Sequence, residues 1–509
     1  MTLDWAPEVE AIDERRAIVR AMGGEKAVER QHANGRLAVR ERIAALVDGG
    51  SFREVGSIAG RRDHDDEFVP NNQVIGRAKI EGRPVVLVGD DFTIRGGSLD
   101  KSDFAKHVFP ERFAHDFRLP LIRLVESGGG SLAGIESLGY SYVPDNPGWD
   151  YVVKNLATIP VVALALGPCG GIAAARVAAS HYSVMVAKTS QVFAGGPPLV
   201  AQTGERIDKE SLGGSGVHAR NGTVIDVVDS EEEAFARARR FLSYLPSSVF
   251  EAPPRAEPDD DPDRCDDWLL GAVPRDPRKI YAMRRIIGSL VDADSFFELG
   301  AEWGRSMITG LARLDGWPVV VLAEDCRYGG ALTSEAARKA EWLIDLAQTF
   351  HLPVVRLVDQ PGIPIGSAAE QAGTMRYAVR LLSAVHQATV PWCTILVRRV
   401  FGVGGAAHTN AARAQFRYSW PSGRWGSLPT AGGVEAGFKA RIEAAADPEA
   451  ERAQIAERLE RLADPLRTAE AFGVEEIIDP RQTRPLLCEF AALAAPLREV
   501  GPAAWGYRG

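Results

Sequence analysis

Apolar positions in this 509-residue chain cluster in short runs instead of long helical stripes. Val85–Val88, Leu121–Val125 and Val161–Leu166 are nearly continuous, the pattern of strands buried on both faces. A turn at Glu81-Gly82 joins two β-like runs, and further strands alternate with helical segments, which predicts a layered α/β fold. Strands that follow a proline run into Gly-rich loops. The last such loop in the first half leads into Ala173–Ala179, an Ala-rich run that reads as a buried helix. Near the C-terminus, Pro448–Leu462 is a charged helix with the composition of a solvated or subunit-contacting face.

The pattern repeats. GRAKIEGRPVVLVGDDF from Gly76 matches GLARLDGWPVVVLAEDC from Gly310, 234 positions on. RLPLIRLVESGGG around Pro120 matches HLPVVRLVDQPGI around Pro353, and TIPVVALAL at Pro160 matches TVPWCTILV at Pro391, offsets of 233 and 231. The Gly170-Gly171 pair is matched with Gly404-Gly405 at an offset of 234. ALVDGGSFREV, ending at Val55, resembles SLVDADSFFEL, ending at Leu299, and GTVIDVVDS from Gly222 resembles GVEEIIDP from Gly473. The chain is therefore read as a duplication. One domain covers 1–250, a Pro- and Asp-rich linker 251–270, and a second domain 271–509.

A net charge of −9 and a pI near 5.7 argue against a nucleic-acid-wrapping protein. The five cysteines, Cys169, Cys265, Cys326, Cys393 and Cys488, form neither a CxxC metal pair nor a disulfide framework, so no metal is expected and a reducing cytoplasm is the expected compartment. The N-terminus lacks a basic-then-apolar signal pattern, and the longest apolar stretch, Ile159–Leu166, is too short to span a bilayer, so a soluble protein away from membranes is expected.

The glycine loops are where chemistry is expected. ESGGGS (Glu126–Ser131) and GPCGGIAAA (Gly167–Ala175) lie in the first half, DQPGIPIG (Asp359–Gly366) and FGVGGAAHTN (Phe401–Asn410) in the second. A strand, glycine loop and helix start point unpaired backbone N–H groups outward with the positive end of the helix dipole behind them. Such donors suit a thioester oxygen that gains charge as its α-proton leaves. Phosphate-cradle and nucleophile-elbow patterns are missing, and Ser127 has no histidine near it in sequence. Cys169 reads as a small buried hydrophobe, Glu126 and Asp359 as loop braces, and His408 as a packing or capping histidine. Arg95, beside Gly96-Gly97, reads as an exposed cation suited either to a CoA phosphate or to ordinary surface pairing.

At these residues the sequence resembles the carboxyltransferase (β) subunits of biotin-dependent propionyl-, acetyl- and methylcrotonyl-CoA carboxylases and the related methylmalonyl-CoA decarboxylases. GRLAVRERIAALVDGGSF (Gly35–Phe52), DFTIRGGSL (Asp91–Leu99), ESGGG, GPCGG, AGGPPLV (Ala194–Val200), TGERIDKESLGGSGVHARNG (Thr203–Gly222), VDQPGIPIG and YSWPSGRWGSLP (Tyr418–Pro429) carry the resemblance from about Gly35 to near Ala492. It implies two tandem crotonase-like ββα-superhelix domains, the first on the acyl-CoA side and the second on the biotin side. It also implies a homohexamer whose active sites lie between the first half of one subunit and the second half of another. The catalytic backbone donors carried over are Gly171 and Ile172 for the acyl-CoA, and Val403 and Gly404 for biotin. Gly128, Gly129, Gly130, Gly170, Gly362, Gly405, Ala406 and Arg95 are the implied binding positions. The implied reaction moves CO2 from carboxybiotin to the α-carbon of an acyl-CoA through an enolate. None of the six methionines precedes a lysine, as a biotin-bearing MKM-like hairpin needs, so a separate biotin carboxylase/biotin carboxyl carrier subunit is expected to supply the biotin. A decarboxylase or transcarboxylase subunit, or a non-catalytic scaffold, are the alternatives. Ser131 stands where the family's SGGAR has arginine, and VGGAA puts Ala406 in place of the aspartate of GGAYD, so the acyl group is left open.

Overall fold

In the computed structural model, residues 4–62, 67–98, 104–130, 140–141, 143, 145–410, 412–414 and 416–503 are described, so Leu99 and Ser131 lie outside the described residues. The described chain divides into two compact units, 4–251 with 501–503, and 252–500. In the first unit the strands are β1 (Arg53–Val55), β2 (Gly60–Arg62), β3 (Phe68–Pro70), β4 (Gln73–Ile80), β5 (Arg83–Asp90), β6 (Leu121–Ser127), β7 (Val161–Gly170), β8 (Tyr182–Val186), β9 (Gln191–Phe193) and β10 (Asp226–Val228). β2 and β3 form a separate hairpin, while the main sheet runs β1-β4-β5-β6-β7-β8-β10 with β9 against the end of β7. β1, β4 and β5 pair antiparallel, and β5 through β10 are parallel.

The second unit repeats this order with β11 (Phe297–Glu298), β12 (Met307–Leu314), β13 (Trp317–Glu324), β14 (Val354–Gln360), β15 (Trp392–Phe401), β16 (Phe416–Ser419), β17 (Arg424–Gly426) and β18 (Glu476–Ile477). The fold is mixed α/β, built twice. The hairpin β4-β5 turns on Glu81 (φ 50°) and Gly82 (φ 78°), and β12-β13 on Asp315 (φ 49°) and Gly316 (φ 75°). Positive φ at both central residues matches the twist of paired strands. Each turn is held by one carboxylate. Asp48 accepts the N–H groups of Glu81 (2.9 Å) and Gly82 (2.8 Å), and Asp292 those of Asp315 (3.0 Å) and Gly316 (2.8 Å). The Pro- and Asp-rich segment is fastened within the second unit, where Asp260 pairs with Arg264 (3.0 Å) and with buried Arg484 (3.3 Å).

Three histidines are held neutral by burial, complete for His181 and partial for His107 and His408. His181 is fully buried; its Nδ1 accepts the Val161 N–H (3.0 Å) and its Nε2 donates to the Leu156 carbonyl (2.9 Å). Burial, with Arg123 nearby, pushes His181 down to about 3. Burial likewise pushes His107 to about 3, aided by Arg176 and Arg123, and His408 to about 4. The unfolded chain takes up these protons below about pH 6.5, whereas the folded chain resists until pH 3–4. This contribution to stability is complete above about pH 6.5 and is lost as pH falls toward 4, at roughly 1.4 kcal/mol per pH unit for each proton. Urea midpoints should therefore drop between pH 7 and pH 5, with a shallower pH slope in His181→Gln. A midpoint unchanged over that interval would contradict the assignment.

Candidate functional site

Two sites are built by the same local device. Beyond Val125 the β6-β7 ladder slips: Val125 pairs with Ala165, but Ser127 pairs with Cys169, so two residues of β6 span four of β7. In the second unit Val358 pairs with Leu396 and Gln360 with Val400, the same slip. Past it, Gly170 pairs with Phe193 on β9, and Phe401 with Gly426 on β17. A glycine in the left-handed region then turns the chain into a helix, Gly171 (φ 57°) before Ile172–Ala178 and Gly402 (φ 58°) opening Gly402–Ala406. Only glycine takes that conformation without strain.

This register corrects the pairing of the glycines. Gly170-Gly171 corresponds to Phe401-Gly402, not to Gly404-Gly405, and Ile172 corresponds to Val403. Two Gly-Gly pairs look alike in a linear comparison, but inter-strand hydrogen bonds fix which residues are equivalent.

The same turn decides which N–H groups stay open. The Gly171 N–H donates to the Phe193 carbonyl (3.1 Å) as part of the ladder. Those of Ile172 and Ala173 have no acceptor among the described residues, nor do those of Val403 and Gly404. Close packing backs each turn. A Cβ on Gly170 would stand 2.9 Å from the Gly128 oxygen, one on Gly129 (φ 88°) 2.9 Å from the Gly170 oxygen, and one on Gly404 3.1 Å from the carbonyl carbon of Gly362. Gly405 is buried against Val400, while Val403 and Ala406 are exposed. Gly130, Gly129 and Ile172 border a cavity of ≈ 200 Å³ in the first unit.

Each loop hangs from a buried carboxylate clamped by two arginines. Glu126 meets Arg42 (2.5 Å) and Arg36 (2.7 Å) and accepts from Gln31 (2.6 Å). Asp359 meets Arg399 (2.6 Å) and Arg398 (2.8 Å) and accepts the Tyr281 hydroxyl (3.0 Å). Burial leaves the Glu126 carboxyl above its usual range against the pull of Arg42 and Arg36. For Asp359 burial pushes the same way, but Arg399 and Arg398 outweigh it and hold the carboxyl low. The backbone N–H of Glu126 donates to Asp90 (3.3 Å), and that of Asp359 to Glu324 (3.0 Å), tying the loop bases to the neighbouring strands. Both residues are braces, as the sequence suggested.

The two clamps draw their cations from different places. In the first unit Arg42 reaches in from the helix Val39–Leu46, over Gly167, where a Cβ would stand 2.3 Å from Glu126. In the second unit the strand position matching Gly167 carries Arg398, and the matching helix, Met283–Leu290, turns Ile286 into the core. Arginine and small or apolar residue have traded places across the duplication.

Other expected positions fall as follows. Cys169 is buried with its thiol toward the Val125 and Gly167 carbonyls (3.4 Å each), and burial raises it well above the thiol range, so it is no nucleophile. His408 caps the helix end through Nδ1 to the Gly405 carbonyl (2.7 Å). Arg95 is half-buried in a short turn, not exposed at a strand end, because Asp91 accepts the Thr93 N–H (3.0 Å) and ends the strand early. That turn touches the glycine loop, as the Gly128 N–H donates to the Gly96 carbonyl (2.9 Å). His107, Glu111 and Trp149, which line the cavity, carried no signal in the sequence. Arg176, also there, had one: a lone arginine in an Ala-rich buried helix needs a buried counter-charge, which Asp90 supplies at 3.2 Å.

A family model described as "Carboxyl transferase domain" matches residues 30–501. The propionyl-CoA carboxylase carboxyltransferase subunit of Haloferax mediterranei is 32% identical, with 94% of each chain covered. The methylmalonyl-CoA decarboxylase subunit alpha of Veillonella parvula is also 32% identical, over 97% of this chain and 96% of its own. Among solved structures, the transcarboxylase 12S hexamer with methylmalonyl-coenzyme A bound superposes with a TM-score of 0.89 at 31% identity, covering 97% of this chain and 96% of that one. No described helix is long and apolar enough to cross a membrane.

Proposed function

The chain belongs to the carboxyl transferase domain family, matched over residues 30–501, and on that premise we propose that it is the carboxyltransferase subunit of an acyl-CoA carboxylase. The observation that carries the reading is the twice-built glycine turn with open N–H groups at Ile172 and at Val403-Gly404. The first unit, on this reading, is the acyl-CoA side and the second the biotin side of a homohexamer core.

At the first turn the Ile172 N–H, with that of Ala173 behind it, receives the thioester oxygen and stabilises it as the α-carbon gives up its proton. At the second, the donors and the glycine cradle suit the planar ureido group of biotin. The Val403 and Gly404 N–H groups have no acceptor among the described residues and lie at a helix start, and any side chain on Gly404 would fill the space against Gly362. Biotin, carried in by a partner carrier subunit, supplies the carboxyl group and, once that has left, the base. Side-chain acid-base catalysis is not needed: the carboxylates nearest each loop, Glu126 and Asp359, are committed to arginines. The same donors serve carboxylation or its reverse. The transferring protein is expected to hold its thioester by position and preorganised dipoles alone.

Incubation with carboxylated biotin carrier protein and a panel of acyl-CoAs should yield carboxylated acyl-CoA, read by mass spectrometry. Acyl-CoA alone should raise the melting temperature by mass action. Product from none of the panel, together with an unshifted melting temperature, would leave the scaffold reading in its place.

A further inference from the structure

The cavity beside Ile172 bears on what the acyl group is, an inference that rests on the carboxyltransferase reading above. It is bordered by Ile172, whose N–H is open, and by Gly129 and Gly130. Its walls are the apolar side chains of Phe104, Val108, Trp149 and Val152, with Asp145 and Asn146 on one side. At its base lie His107, Glu111 and Arg176.

Every formal charge at that base already has a partner inside the unit. Arg176 pairs with Asp90 (3.2 Å), and Glu111 with Arg123 (2.8 Å) while also accepting from Asn155 (3.0 Å). His107 Nδ1 faces the Gln73 amide nitrogen (3.2 Å). A carboxylate at the far end of an acyl chain would meet no uncommitted cation there.

Size makes the rest of the argument. At ≈ 200 Å³ the cavity is larger than an apolar cavity of about 150 Å³ that holds benzene. The ethyl group of a propionyl thioester would leave most of it unfilled.

We propose that this chain takes an acyl-CoA whose uncharged acyl group has on the order of six to eight carbons, its tail seated in the cavity between Ile172 and Arg176. Each methylene that enters should tighten binding roughly fourfold, so hexanoyl, with three more, should exceed propionyl by about sixty-fold.

The test uses the intact protein and measures kcat/KM with carboxylated carrier protein and Kd by calorimetry for propionyl-, hexanoyl-, octanoyl-, dodecanoyl- and adipoyl-CoA. Hexanoyl or octanoyl should lead on both measures, with adipoyl, the same length as hexanoyl but charged, well behind. Val152→Phe fills the cavity and should cut the hexanoyl-to-propionyl ratio at least tenfold. Val108→Phe, filling it from the opposing helix, should do the same, each variant being first matched to the parent in melting temperature. Propionyl-CoA equal to or better than hexanoyl-CoA, or a ratio unmoved in both variants, would overturn the proposal while leaving the carboxyltransferase reading intact. Binding of no acyl-CoA at all would overturn both.

Discussion

Ile172→Pro should lower kcat by about 10²- to 10³-fold, the cost of removing one preorganised donor from a developing oxyanion. Proline replaces the N–H hydrogen with its ring Cδ, and Ile172 is the first residue of its helix, the position where proline's fixed φ is already helical and its missing donor goes unused within the fold. Gly171 before it sits at φ 57°, ψ −118°, the mirror image of the extended region that residues preceding proline favour and that glycine alone enters freely. The melting temperature should therefore stay near that of the parent. Ile172→Leu keeps the N–H and should keep the rate, so the pair separates donor from side chain. Loss concentrated in KM, with kcat preserved in the proline variant, would mean that the N–H binds ground state and transition state alike, contrary to its assigned role. Val403→Pro applies the same test to the second turn.

Arg42→Met should be the most damaging change to the fold of the first unit. Arg42 is fully buried, grips Glu231 through Nε and Nη2 (2.8 Å each), meets Glu126 at 2.5 Å and donates to the Leu166 carbonyl (3.0 Å). Its removal strands the buried carboxylate of Glu231 and leaves Glu126 to Arg36 alone, at a cost of about 3–5 kcal/mol, which for a unit of this size lowers the melting temperature by on the order of 10 °C. Arg36→Met should cost less, since Arg36 is partly exposed and Arg42 would remain on Glu126. Adding Glu231→Gln to Arg42→Met should recover part of the loss, because the stranded charge is then gone. Equal effects from Arg36→Met and Arg42→Met, seen by calorimetry, would show that Arg42 is not the keystone of this cluster.

These two residues also separate what is local in this chain from what is not. The duplication, the strand runs, the Glu81-Gly82 turn, the buried Ala-rich helix and the charged helix Pro448–Leu462 are all legible in the sequence. Each depends on side-chain periodicity or turn chemistry within a few residues, and that physics is written in consecutive letters. The glycine loops were legible for the same reason, since tight backbone approach leaves glycine in the sequence.

Which glycines correspond was not legible. Gly170-Gly171 and Gly404-Gly405 match as letters, but the slip that sets Cys169 against Ser127 and Val400 against Gln360 is a fact about hydrogen bonds between strands. Nor was the donor at Gly171 seen to be spent, because its acceptor is Phe193, on β9. The clamps on Glu126 and Asp359 escaped for a related reason: Arg42 and Arg398 serve corresponding loops from unrelated places in the chain. The sequence by itself determined that this protein is a doubled α/β chain whose glycine loops meet helix starts. Only the tertiary structure decided which N–H groups stand free, what charge braces them and how large a cavity opens beside Ile172, because free donors, buried ion pairs and voids are set by contacts between residues far apart in the chain.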